Sequence, residues 1–427
     1  MVFNHISCFN IFFFCPNLVV FGCGCHSAHL CASAACLKLP KTVEQFARDV
    51  YNYFVNSTKR KQELQEFQIF AEEVVHKILK LSTTRWLSFI NVVNRILEQW
   101  SPLTLYFQSA VLEDDLHSAR PILEALHNPA YKLYFKFLSH ALTWTVKLNL
   151  QLQREKPQIA TLLKSVTEIY KSILKCFIKS DILSSTDLSR IQVDYPRNFK
   201  PLEEMYFGAK VDAFIKSDTA IDPRELHNFR LRALDFYIEL AKQIKMRFDF
   251  KNSDLLYASN FSVENVLSGN IMSISEYVNL YPSIDSDPES VNLEWQLLPE
   301  VFNLQECSNL DDIDFWSMVE KKRNGAGELV FSNLMKVVKY IMVFPHSSAA
   351  AERTFSQYNL IKSKLRNRLK VSTAAAILRI KDGLRYNVLS YRTITLKEIS
   401  RYLEQQVQNV EQVDDNEDID DVFELLS

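Results

Sequence analysis

Glycine is scarce in this chain of 427 residues, with seven in all. That is far below the roughly 7% usual in globular proteins and argues against a fold built on tight turns, while plentiful Leu, Lys, Glu, Gln and Phe favour long helices. Charge of either sign is missing from residues 1–37, which hold no Asp, Glu, Lys or Arg. Phe12-Phe13-Phe14 and Leu18-Val19-Val20-Phe21 give this stretch the look of a signal peptide, but it lacks a positive n-region and Pro16 divides its apolar run. A secretory leader is therefore not expected. No other stretch reaches the roughly 18 uncharged apolar residues that span a bilayer, so no membrane partner is expected either. Cysteine nearly disappears after residue 36: Cys8, Cys15, Cys23, Cys25, Cys31 and Cys36 are followed only by Cys176 and Cys307. A disulfide scaffold would be short and would spread its bridges, so reduced intracellular thiols fit better. The net charge of −2 excludes a polyanion binder acting over its whole surface, and any nucleic-acid contact must come from local patches.

Pro16 to Gly22 is a short β-branched and aromatic run and reads as one buried strand. Cys23 to Cys36 follows as a small-residue helix. Its Cys25, His26, His29 and Cys31 could hold a metal, but free Cys and neutral His also fill a buried helix face, and no second ligand pair follows at finger-like spacing. No metal site is assigned. Thr42 and Gln45 suggest a capping box for a helix carrying Phe46, Val50, Tyr53 and Phe54. Leu64, Phe67, Phe70, Val74 and Ile78 predict a second helix, before Thr83-Thr84-Arg85-Trp86-Leu87-Ser88 interrupts the pattern. There Trp86 is either a core aromatic or a flat face for a nucleobase beside a phosphate-binding Arg85. Amphipathic helices continue to Phe177, Ile182 to Lys200 reads as loop, and Asp222-Pro223-Arg224-Glu225 carries the strongest helix-start signal in the chain. The polar run from Pro282 to Ser290 reads as a connection.

The basic character is concentrated in one place. Between Arg353 and Arg385 stand nine Lys and Arg against one acid, Asp382. This follows Phe344-Pro345-His346-Ser347-Ser348-Ala349-Ala350-Ala351-Glu352-Arg353-Thr354-Phe355-Ser356 and includes Lys362-Ser363-Lys364-Leu365-Arg366-Asn367-Arg368-Leu369. Ser372 or Thr373 then suggests a cap for a helix through Ile377, Ile380 and Leu384. The tail from Glu411 to Glu424 holds eight acids and no base and reads as disordered.

Three of these stretches resemble blocks of the hAT superfamily of DNA transposases and the host proteins descended from them. Ser347-Ser348-Ala349 through Glu352-Arg353, Phe355-Ser356 and Lys364 to Leu369 resemble its C-terminal dimerisation region. Thr84 to Ser88 is similar to its Arg-Trp block, and Cys25 to Leu30 to its Cys/His block, although His26 stands where that family often has Cys or Asp. Asp314-Phe315-Trp316 agrees as well. The resemblance implies a mainly α chain that keeps a remnant of an RNase H-like α/β core interrupted by a large all-helical insertion. It divides the chain into core remnant at 1–40, insertion at 41–281, linker at 282–310, dimerisation region at 311–390 and a helix end with acidic tail at 391–427.

The same resemblance matches Glu352 to a catalytic glutamate, Trp86 to a tryptophan that stabilises distorted DNA, and His29 to the block histidine. It also implies two aspartates upstream of the Cys/His block, and this sequence has no Asp before Asp49. Glu352 alone offers too few oxygens for a two-metal site. The expectation is thus a catalytically inactive, N-terminally truncated relative with Glu352 vestigial, no cofactor and no small-molecule substrate. Mg²⁺ would enter only if those aspartates lie upstream. It is expected to act in the nucleus as a homodimer through Phe355, Ile361, Leu365, Leu369, Ile377, Ile380 and Leu384. Weak DNA contact would come from Arg85, Trp86, Arg353, Lys362, Lys364, Arg366 and Arg368. Two alternatives are an active DNA transposase represented by an incomplete gene model and a structural helical scaffold.

Overall fold

The computed structural model describes residues 22–81, 89–113, 118–217, 221–271, 273–281, 284–307, 309–363, 366 and 368–385. The expectation of a mainly helical protein holds, and the β-structure among the described residues is limited to isolated bridges such as Ile178 with Phe199. The strand expected before Gly22, the Arg85–Trp86 block and the acidic tail lie outside the described residues. Two compact units divide the chain, residues 1–347 and 348–427.

The first unit is built on two long helices, Pro129–Leu152 and Pro223–Arg247. Asp222 starts the latter by accepting the Arg224 N–H at 2.6 Å, with Pro223 in the first turn and Glu225 favourably placed against the helix dipole. Phe229, Phe236, Tyr237, Ala241 and Ile244 then return to one buried face because a 3.6-residue period brings them there. That face meets Phe137, whose ring lies 5.2 Å from Phe236 and 5.3 Å from Tyr237. Truncating Phe137 to Ala would cost about 3–5 kcal/mol of packing and cavity energy.

The Cys/His stretch forms the helix Gly24–Cys36, packed against both long helices. Its buried residues are small, Gly24, Ala28, Cys31, Ala32, Ala35 and Cys36, which lets the backbones approach closely. A Cβ on Gly24 would lie 3.0 Å from the His346 carbonyl oxygen and 3.0 Å from Leu152 Cδ1, so a larger residue would push this helix off its neighbours. Burial lifts the Cys31 thiol to about 12 and raises that of Cys36 further. The thiols are packing groups in their neutral form.

Several local expectations shift. The helix Lys41–Val55 starts one residue before Thr42, because the Pro40 carbonyl accepts the Val43 N–H at 3.0 Å, and no side chain caps it. The next helix, Thr58–Phe70, stops well short of Val74 and Ile78. Glu72 adopts φ of 57°, a left-handed conformation rare for a residue with a Cβ. The chain beyond it runs non-helically to Leu81. Gln68 and Gln99, 2% and 0% exposed, hold that segment in place. Gln68 Nε2 donates to Gln99 Oε1 at 2.6 Å and to the His76 carbonyl at 2.9 Å, while Gln99 Nε2 donates to the Val74 carbonyl at 3.1 Å.

The stretch 282–310, expected as a linker, contains the helix Pro288–Val301, capped by Asp287 and burying Val291, Trp295 and Leu298. Its Glu294 accepts from N–H groups in the first turn of the helix Ser332–Met342, at 3.3 Å from Asn333 N and 2.7 Å from Leu334 N. Trp316, on the helix Asp312–Glu320, is likewise buried and donates its indole N–H to the Phe261 carbonyl at 2.9 Å.

Candidate functional site

The second unit contains the residues on which the functional expectations converge. Its described part is a pair of helices, Ala349–Ile361 and Val371–Arg385. The second begins ahead of Ser372 and Thr373, with the Lys370 carbonyl accepting the Ala374 N–H at 3.1 Å, so neither hydroxyl residue is its cap. Ile361, Ala374 and Ile377 form a small core with Tyr358, Leu369 and Leu378 packed against it. Ile380 is also buried and Leu384 partly so.

The apolar residues singled out for association therefore fall into two groups. Ile361, Ile377 and Leu369 hold the helix pair together from within, and Ile380 is buried, whereas Phe355 is 67% exposed. Leu360, which the sequence reading passed over, is 81% exposed, and Val371 is 68% exposed. Leu365 and Lys364 lie outside the described residues, as do Arg85 and Trp86. A core this small leaves large apolar groups in water, a feature of surfaces that associate. Leu360 carries no special sequence signal beyond its neighbour Ile361; only their opposite exposures separate them.

Glu352 sits in the first turn of Ala349–Ile361, exposed, with the Ser348 hydroxyl donating to Oε1 at 3.2 Å. A carboxylate there suits the helix N-terminus. Hard divalent cations need several oxygen ligands, and among the described residues no group of three or more His, Cys, Asp and Glu is arranged to hold a metal ion. Of the cations, Arg368 is exposed, and Arg353, Lys362 and Arg366 are partly so. The Pro345–Ser347 stretch belongs to the first unit, where Ser347 Oγ donates to the Leu152 carbonyl at 2.6 Å.

The Cys/His block is placed with its small residues inward, as above; His26 is exposed and its ring stacks with that of His29 at 6.4 Å. Sequence reading also passed over a basic groove in the first unit, lined by Lys132, Lys136 and Lys210. The four-residue spacing of Lys132, Lys136 and His140 was a visible signal, but Lys210 is far from them in the chain.

Residues 296–384 match the family model described as the hAT family C-terminal dimerisation region. The match begins upstream of the boundary at 311 expected from sequence and takes in the end of the helix Pro288–Val301. No curated protein matches the chain.

Proposed function

We propose that this chain, whose residues 296–384 match the hAT family C-terminal dimerisation region, acts by self-association, forming a homodimer through its C-terminal helices. The observation that carries the reading is the exposure of Phe355 and Leu360, 67% and 81%, inside a region that matches a dimerisation domain. Burying each fully would contribute about 1.5–3 kcal/mol. Removing both should thus weaken association about 100-fold or more, at 1.4 kcal/mol per decade. Sedimentation velocity on the full chain and on Phe355→Ser/Leu360→Ser tests this. A wild-type chain that stays monomeric across micromolar concentrations, or a double variant that associates equally well, refutes it.

The finer parts of the proposal rest on the resemblance. The inward Ile361, Ile377 and Leu369 shape the helix pair, and Arg353, Lys362, Arg366 and Arg368 supply a modest basic surface for weak, salt-sensitive DNA contact. Action in the nucleus follows by family analogy, and the RNase H-like core remnant at residues 1–40 belongs to the same proposal. Glu352 is read as vestigial in the same proposal, an exposed carboxylate in the first turn of its helix that accepts from the Ser348 hydroxyl. Divalent-metal-dependent DNA cleavage by this chain, abolished by Glu352→Gln, would overturn that part.

A further inference from the structure

A groove of about 800 Å³ opens in the first unit between the helices Phe89–Glu98, Pro129–Leu152 and Ala209–Ser217. Its size is within the range of small-molecule sites. Lys132, Lys136 and Lys210 line it, against one carboxylate, Glu98, whose Oε2 is already engaged by Arg95 Nε at 3.1 Å. The rest of its wall is uncharged, with Asn94, Ser139 and Thr143 beside the apolar Leu97 and Ala209.

The arrangement is costly to the folded chain. Lys132 and Lys136 are like charges at i, i+4, which destabilise a helix. The ammonium of Lys136 is held below its ordinary pKa by partial burial and by Lys132 and Lys210. Aromatic rings fix the cations in place: Lys136 Nζ lies 5.2 Å from the Phe214 ring, and Lys132 Nζ lies 5.5 Å from Trp100 and 5.7 Å from Phe214. Burial lowers the pKa of His140 on the same wall, and the nearby Asp212 opposes that shift.

The third lysine arrives by way of an unusual turn. Gly208 has φ of +118°, and a Cβ on it would lie 2.8 Å from both Cβ and Cγ of His140. Only glycine allows the backbone to pass this close. The helix Ala209–Ser217 begins directly after it, with Asp212 in its first turn, and so brings Lys210 to the same groove.

We infer that this groove is a binding site for phosphate groups, in which Lys132, Lys136 and Lys210 converge on an anion carrying more than one negative charge. The phosphates belong either to a free phosphorylated ligand or to a nucleic-acid backbone; the chemistry recognised is the same. The site lies between Asn94 and Lys210 and does not depend on the self-association reading.

The test is calorimetric titration of the full chain with sodium tripolyphosphate at low salt, for the wild type, Lys136→Gln/Lys210→Gln and Lys147→Gln. Lys147 is an exposed lysine of the same long helix that does not line the groove. The wild type should bind, the double variant should bind at least about tenfold more weakly, as expected for lost charge-assisted hydrogen bonds, and the control should bind as the wild type does. Lysine acylation read by mass spectrometry on the unmutated chain provides a second measurement should the double variant misfold. Tripolyphosphate should protect Lys136 and Lys210 but not Lys147. Displacement of tripolyphosphate by a single-stranded oligonucleotide would assign the phosphates to nucleic acid, and failure to displace would assign them to a free ligand. No binding by the wild type, equal loss in the Lys147 control, or no selective protection overturns the inference.

Discussion

Replacing Gln68 by Leu tests how the first unit holds the segment leading towards the Arg85–Trp86 block. The substitution keeps the side chain's bulk and removes a donor that serves two acceptors, Gln99 Oε1 at 2.6 Å and the His76 carbonyl at 2.9 Å. Gln99 is fully buried, so its oxygen loses a partner that water cannot replace; such a group costs about 1–3 kcal/mol. His76 is partly exposed, and its carbonyl contributes less because water can reach it. Leucine recovers about 1 kcal/mol of apolar burial. The net expectation is destabilisation by about 1–3 kcal/mol, felt most strongly in residues 73–81, which the two glutamines hold together with the Arg95 Nη1 bond to the Lys77 carbonyl at 2.8 Å. Urea denaturation measures the size of the effect, and hydrogen exchange measures its location. Amides of 73–81 should exchange faster, while those in the middle of Pro223–Arg247 should change only as far as global stability falls. The double variant Gln68→Leu/Gln99→Leu should show coupling rather than additivity. A loss below about 0.5 kcal/mol, the range of an ordinary surface substitution, with unchanged exchange at 73–81, would refute the reasoning.

Two further outcomes follow from the structure. Glu294→Ala, which removes the acceptor from Asn333 and Leu334 N–H, should lower stability by about 1–2 kcal/mol in urea denaturation, with Glu294→Gln recovering much of it. Asp312 accepts the Val263 N–H at 3.0 Å, and burial raises its carboxyl pKa above 3.8. Its favourable contribution is therefore complete below about 3.8, the unfolded value, and is lost as pH rises through the higher folded value. Asp312→Asn should become progressively more stable relative to the wild type as pH increases from 4 to 7. A constant difference over that interval would show that Asp312 does not titrate as the structure implies.

The fate of two helix signals shows what could be read in advance. Asp222-Pro223-Arg224-Glu225 starts a helix because its cap, its proline and its acid all act on backbone groups within three residues. Leu64, Phe67, Phe70, Val74 and Ile78 obey an equally good helical period, yet the helix stops at Phe70. The chain turns at Glu72 in a left-handed conformation, and the segment beyond is held by Gln99, 31 residues after the Gln68 with which it pairs. Polar side chains on an amphipathic pattern reveal nothing about a partner that distant. The family was legible because its C-terminal motif is contiguous in the chain, but which of its apolar residues meet each other and which meet water was not. Ile361 and Leu360 are neighbours of similar chemistry, one 1% and the other 81% exposed, and periodicity becomes ambiguous where only two helices pack.

By itself, then, the sequence determined the helical character, the capped start at Asp222, the local concentration of cations from Arg353 to Arg385 and the family of the C-terminal region. Each depends on residues within a turn or two of one another, where spacing dictates geometry. Tertiary structure decided the end of the helix at Phe70, the exposure of Phe355 and Leu360, and the meeting of Lys132 and Lys136 with Lys210. Those outcomes depend on which distant surfaces pack together, and burial and electrostatic proximity exist only once they have done so.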